Sequence, residues 1–77
     1  NVKVLSRGNG LFEVVLAEPQ KVLEITVINS TGQLIKQLKP AGQNQILLDL
    51  SNHTMGVYLI RITSIIGKRG KTVKVIR

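Results

Sequence analysis

The run Asp49-Leu50-Ser51-Asn52-His53-Thr54-Met55-Gly56-Val57-Tyr58-Leu59-Ile60-Arg61-Ile62 joins a polar turn to the most strand-like segment of the chain. From Val57 to Ser64 nearly every residue is β-branched, aromatic or aliphatic, a composition that packs well on a pleated surface. Tyr58, Ile60 and Ile62 fall on one face and Val57, Leu59, Arg61 and Thr63 on the other, so one face is almost continuously apolar. Gly56 stands where the chain leaves the turn, a position at which a missing Cβ admits positive φ. A central strand launched from a tight corner is expected here, with a single helical turn around Leu50–Thr54 capped by Ser51 or Asn52.

The same alternation recurs on either side. Val2 to Leu5 reads as a short strand, and Ser6-Arg7-Gly8-Asn9-Gly10 as a turn, because Asn-Gly accepts positive φ at both positions. Leu11–Leu16 places Phe12, Val14 and Leu16 on one face; Glu18-Pro19-Gln20 then breaks the run, since proline cannot donate to a ladder. Val22–Asn29 alternates Leu23, Ile25 and Val27 against Glu24 and Thr26, as a half-buried strand does. After the turn Ser30-Thr31-Gly32-Gln33 comes Leu34–Leu38 with Lys36 outward, then a Pro/Gly loop over Lys39–Asn44 and a fifth strand at Gln45–Leu50. A hairpin across Ile65–Gly70 leads to the last strand, Lys71–Arg77, with Val73 and Val75 inward. Short strands about ten residues apart, each bounded by turn chemistry and none with a helical period, predict an all-β, seven-stranded antiparallel sandwich spanning residues 1–77 as one domain.

Composition narrows the function. With 77 residues and no cysteine, stability must come from the core, an edge pairing or a parent protein. No apolar run approaches the roughly 20 residues of a membrane helix, so membrane insertion is not expected, and a start at Asn1 suggests a piece of something larger. The net charge of +7 is uneven: Glu13, Glu18, Glu24 and Asp49 all precede residue 50, whereas Arg61, Lys68, Arg69, Lys71, Lys74 and Arg77 follow. A basic end attracts acidic surfaces of many kinds, and it also keeps a small sheet soluble.

Catalysis and cofactors find no support. Asp49, Ser51 and His53 lie on one extended segment and project in parallel, whereas a triad must converge beside an oxyanion hole; bonding to turn backbone is their commoner role. Gly70-Lys71-Thr72 imitates the end of a phosphate loop but precedes a strand, and one histidine with scattered acids makes no metal cluster. Nucleic acid is not an expected partner, because Phe12 and Tyr58, the only aromatics, sit on core faces where they cannot stack on bases. The Tyr58 hydroxyl is expected to reach a backbone partner. Outward faces keep Leu11, Val15, Val57, Leu59 and Ile76, apolar surface that expects a second copy through sheet edges or this outer face, the parent protein, or a receptor.

The Gly32-Gln33 hairpin after Ile25-Thr26-Val27-Ile28-Asn29, the corner from Asp49-Leu50-Ser51 to Met55-Gly56-Val57-Tyr58, and the terminal Lys71-Thr72-Val73-Lys74-Val75-Ile76 together resemble the type IX secretion C-terminal sorting domain of Bacteroidetes. Gly10-Leu11-Phe12 is similar to that family's early glycine-aromatic strand, whereas Asn1–Arg7 lacks its proline-containing opening. The resemblance implies an immunoglobulin-like sandwich without catalysis, at the end of an exported parent. It would direct that parent from the periplasm through the outer-membrane translocon to the cell surface or the medium, where a sortase-like peptidase removes it from many members and others retain it. Carried onto this chain, Gly56 and Tyr58 form the structural corner, and Lys71, Thr72, Lys74, Val75, Ile76 and Arg77 form the strand the translocon recognises. A terminal basic strand suits addition to a receptor's sheet edge. The alternative is a carbohydrate-binding or adhesion module appended to an enzyme, which usually needs exposed aromatic platforms.

Overall fold

The computed structural model describes residues 2–65 and 70–77; the middle of the hairpin expected across Ile65–Gly70 lies outside them. Seven strands follow in order: β1 (Val2–Gly8), β2 (Leu11–Leu16), β3 (Val22–Asn29), β4 (Leu34–Leu38), β5 (Gln45–Asp49), β6 (Val57–Ser64) and β7 (Gly70–Ile76). They make two antiparallel sheets, a three-stranded one in the order β1-β2-β5 and a four-stranded one in the order β4-β3-β6-β7. β6 is central, as its composition predicts.

The period of two in each strand sends one side-chain row from each sheet into a shared core. Phe12, Val14, Leu16, Ile46 and Leu48 come from the smaller sheet and Ile25, Val27, Tyr58, Ile60, Ile62 and Val75 from the larger; Leu50, just past β5, joins them. Val14, Ile25, Val27, Leu50 and Ile60 are wholly excluded from solvent. This burial is the main stabilising contribution, because the chain has no disulfide to restrain it. No helix among the described residues is long and apolar enough to cross a membrane.

Local chemistry fixes the turns. Asn9 (φ 56°) and Gly10 (φ 81°) both take the positive φ that a two-residue hairpin of matching twist requires. At the β3–β4 turn the Asn29 carboxamide oxygen accepts the amides of Thr31 at 3.1 Å and Gln33 at 2.9 Å, so a side chain stands in for missing ladder partners.

Four expectations need correction. Leu23 does not share a face with Ile25: the β3–β6 register slips between Val22 and Glu24, and the extra residue, Leu23, is turned outward. A second slip between Val27 and Ile28 brings Lys36 opposite buried Val27, half-buried instead of outward. An inward-leaning charge on an edge strand discourages pairing with another chain. Pro19, expected only to interrupt, is buried and opens a 3-10 turn over Pro19–Lys21. The turn after β5 closes with the His53 amide on the Leu50 carbonyl at 3.0 Å, but its cap is Asp49, which receives the Ser51 amide at 2.9 Å.

Candidate functional site

The corner and the terminal ribbon form one unit. Tyr58 enters the core at the start of β6, and its phenol donates to the Thr54 carbonyl at 2.5 Å, which pulls the chain back across the turn. Gly56 adopts φ +148° with open space where a Cβ would stand, so backbone conformation, not crowding, calls for glycine. Its carbonyl accepts from the Arg77 amide at 2.9 Å and its amide donates to the Arg77 carbonyl at 3.2 Å, extending the β6–β7 ladder beyond Ile76.

Arg77 also turns its side chain back over the corner. Nε donates to the Leu50 carbonyl and Nη2 to the Ser51 carbonyl, both at 2.8 Å. Beneath the guanidinium lies Gly10, whose carbonyl accepts the Leu50 amide at 2.8 Å. A Cβ on Gly10 would meet Arg77 Nε at 2.6 Å and the Ser51 backbone at 3.0 Å. Chain start, corner and chain end therefore interlock at a point with no room for a methyl group. Nothing in composition or periodicity signals this clasp, because it depends on which turns the topology brings together.

The residues of the ribbon fall in different places. β7 is the last strand of its sheet, bonded to β6 and to no strand on its other side among the described residues. Val75 is buried opposite Tyr58, and Val73 is half-buried opposite Ile60. Thr72, Lys74 and Ile76 are exposed on the outer face, in rows with Arg61, Leu59 and Val57. Lys71 lies opposite Ile62 on the other face, and its ammonium reaches the Val2 carbonyl at 3.4 Å. There a cleft of about 280 Å³ opens between the starts of β1 and β7, floored by Val2, Leu16 and Ile62. Of the outward apolar residues, Leu11, Val15, Val57 and Leu59 are half-buried, while Ile76 is 71% exposed.

All four acids are engaged away from the ribbon. Glu13 pairs with Arg7, Glu18 with Lys21 at 2.9 Å, Glu24 accepts from Gln37 at 2.6 Å, and Asp49 accepts from Ser51. The Lys21 hydrogen bond and charge hold the exposed Glu18 carboxyl below its ordinary range. The Ser51 hydroxyl and amide do the same for Asp49. Among the described residues neither Lys71 nor Lys74 meets a carboxylate, and no group of ligating side chains could hold a metal ion. Asp49 accepts the Ser51 amide within the turn, the backbone role expected of it, while the Ser51 hydroxyl bonds the Asp49 carboxylate and His53 contributes its main-chain amide.

Residues 8–76 match the model of a known family, the secretion system C-terminal sorting domain. The chain belongs to the type IX C-terminal sorting family. A comparison with curated proteins found no match. The matched span begins after the segment that lacks the family's proline-containing opening and runs through Ile76, so it takes in the Gly10 turn, the corner and the ribbon. A sorting domain of this kind is a C-terminal signal for export toward the cell surface or the medium by interaction with the secretion system, and the family is generally non-catalytic.

Proposed function

We propose that this sorting domain directs a larger parent protein, once in the periplasm, through the type IX translocon, and that the translocon reads the ribbon from Lys71 to Arg77. On the surface the domain is removed by a sortase-like peptidase or retained with its parent. The observation that carries the reading is that β7 is an edge strand whose lysines are not neutralised by any acid among the described residues. Within the ribbon the roles divide: Val75 and Arg77 anchor it to the core and the corner, Thr72, Lys74 and Ile76 are offered outward, and Lys71 at its start lies on the other face beside Val2.

The fold is best read as immunoglobulin-like. Its order matches a constant-type immunoglobulin sandwich in which the fourth strand has moved from the first sheet to pair with the third. A tyrosine at the start of the sixth strand, its hydroxyl bonded to backbone a few residues upstream, is a further mark of that architecture, and Tyr58 supplies it. Carbohydrate binding is disfavoured because Phe12 and Tyr58 are both buried, which leaves no aromatic platform.

The test is a periplasmic reporter fused ahead of residues 1–77 in a bacterium with this pathway. The reporter should reach the outside, and deleting 71–77 should leave it folded in the periplasm. Retention of the intact fusion, or export of the deletion, overturns the proposal.

A further inference from the structure

The hydrogen bonds at the corner determine which half of the ribbon is free. Arg77 and Gly56 exchange both main-chain bonds, and in an antiparallel ladder such pairs alternate with pairs that exchange none. The register runs without a slip from Val57 opposite Ile76 to Thr63 opposite Gly70. The amides and carbonyls of Val75, Val73 and Lys71 are therefore directed at β6, and those of Ile76, Lys74 and Thr72 at the open side. The latter three also turn their side chains onto the outer face, since Val75 and Tyr58 define the inner one.

We infer that the partner adds an extended strand to this open edge, bonding the main chain of Thr72, Lys74 and Ile76 and carrying an acidic side chain beside Lys74 and an aliphatic one beside Ile76. The inference rests on the reading of the ribbon as the recognised element and specifies how it is read. Charge argues for the acid: Lys74 and Arg61 share the outer face, and neither meets a carboxylate among the described residues. A lysine on a free edge repels basic strands and admits acidic ones, which turns a device against aggregation into a filter. Shape argues for the aliphatic residue. Ile76 is exposed and adjoins Val57, and the next row carries Leu59, Ile28 and Leu34 across the sheet, so an apolar neighbour beside Ile76 extends a stripe already present.

Amide exchange followed by NMR on the 77-residue chain tests this, with a capped peptide of alternating glutamate and valine as the probe. In the free chain Thr72, Lys74 and Ile76 should exchange about tenfold or more faster than Val73 and Val75, and saturating peptide should slow those three by a similar factor. A lysine-valine peptide should do neither. Lys74→Pro deletes one outward donor and no bond to β6, so it should abolish peptide binding while the fold survives. Lys74→Glu, which leaves the backbone intact if the proline variant misfolds, should invert the preference between the two peptides. Exchange rates unmoved by the acidic peptide, or binding unaffected in both variants, overturn the inference. Export separates the two levels. If deleting 71–77 blocks the reporter while Lys74→Pro and Lys74→Glu pass it normally, strand addition fails and the ribbon reading stands; if the deletion itself is exported, the ribbon reading falls.

Discussion

The corner and the outer edge of β7 meet on one ribbon and treat polar groups in opposite ways. At the corner, Arg77 bonds the Leu50 and Ser51 carbonyls, Tyr58 bonds Thr54, and Gly56 and Arg77 exchange main-chain bonds. Along the edge, Thr72, Lys74 and Ile76 direct their main chain away from β6, and the described residues supply no strand to receive it. Alternate positions of one ribbon thus do different jobs: Val73, Val75 and Arg77 hold it in place, and their neighbours present it. A strand's period of two lets the holding half be optimised without altering the half on offer.

The contrast can be broken most severely from the holding side. Gly10→Ala should cost about 2–4 kcal/mol, combining the positive φ of that position with overpacking against Arg77 and Ser51. Gly32→Ala, at φ +88° with open space around it, should cost only about 1–2 kcal/mol by denaturant titration. Equal costs would mean that the clasp yields freely. Next, Val75→Ala should lose about 2 kcal/mol of buried apolar contact, whereas Ile76→Ala should stay within about 0.5 kcal/mol of the parent. If Ile76 proved the costlier of the two, the assignment of holding and presenting positions would be reversed. Tyr58→Phe, which removes one hydrogen bond and keeps the ring packed, should cost about 1 kcal/mol in the same assay.

Much of the holding half was legible in the sequence. The bounds of β2, β3, β4 and β6 follow from alternation and turn residues alone, and so does the inward row of Phe12, Val14 and Leu16. Leu23 and Lys36 were misread because a bulge inserts a residue that periodicity counts as one more step; only the partner strand reveals the slip. The β1 turn begins three residues later than its composition suggests, since pairing with β2 carries the strand through to Gly8. The clasp of Gly10, Ser51 and Arg77 was invisible for a related reason: its parts are far apart in the chain and each looks like ordinary turn or terminus chemistry. The basic character of the ribbon was plain, but its division into bonded and open positions depends on one hydrogen-bonded pair at Gly56.

The smallest expected effect lies within the corner and fades in acid. Ser51 donates its hydroxyl and its amide to Asp49, and those bonds, hydroxyl first, hold the carboxyl below its ordinary value of 3.8, with smaller contributions from Lys36 and His53. Folding therefore favours the ionised carboxylate: its contribution is full above the unfolded-state value and is lost as pH falls through the lower folded-state value. Ser51→Ala should raise the Asp49 midpoint in an NMR titration and flatten the acid limb of the stability profile below about pH 4, its small loss of stability being present near neutrality and vanishing in acid. A midpoint that stays low in Ser51→Ala would shift the cause to the Ser51 amide, which that variant keeps, or to the weaker charge of Lys36. Lys36→Gln should raise the midpoint in the second case and leave it low in the first. Throughout, β7 should be unaffected: Asp49 acts on the turn that carries the Arg77 clasp, so a change in the peptide binding of Ser51→Ala at neutral pH would show that the corner and the open edge are not independent after all.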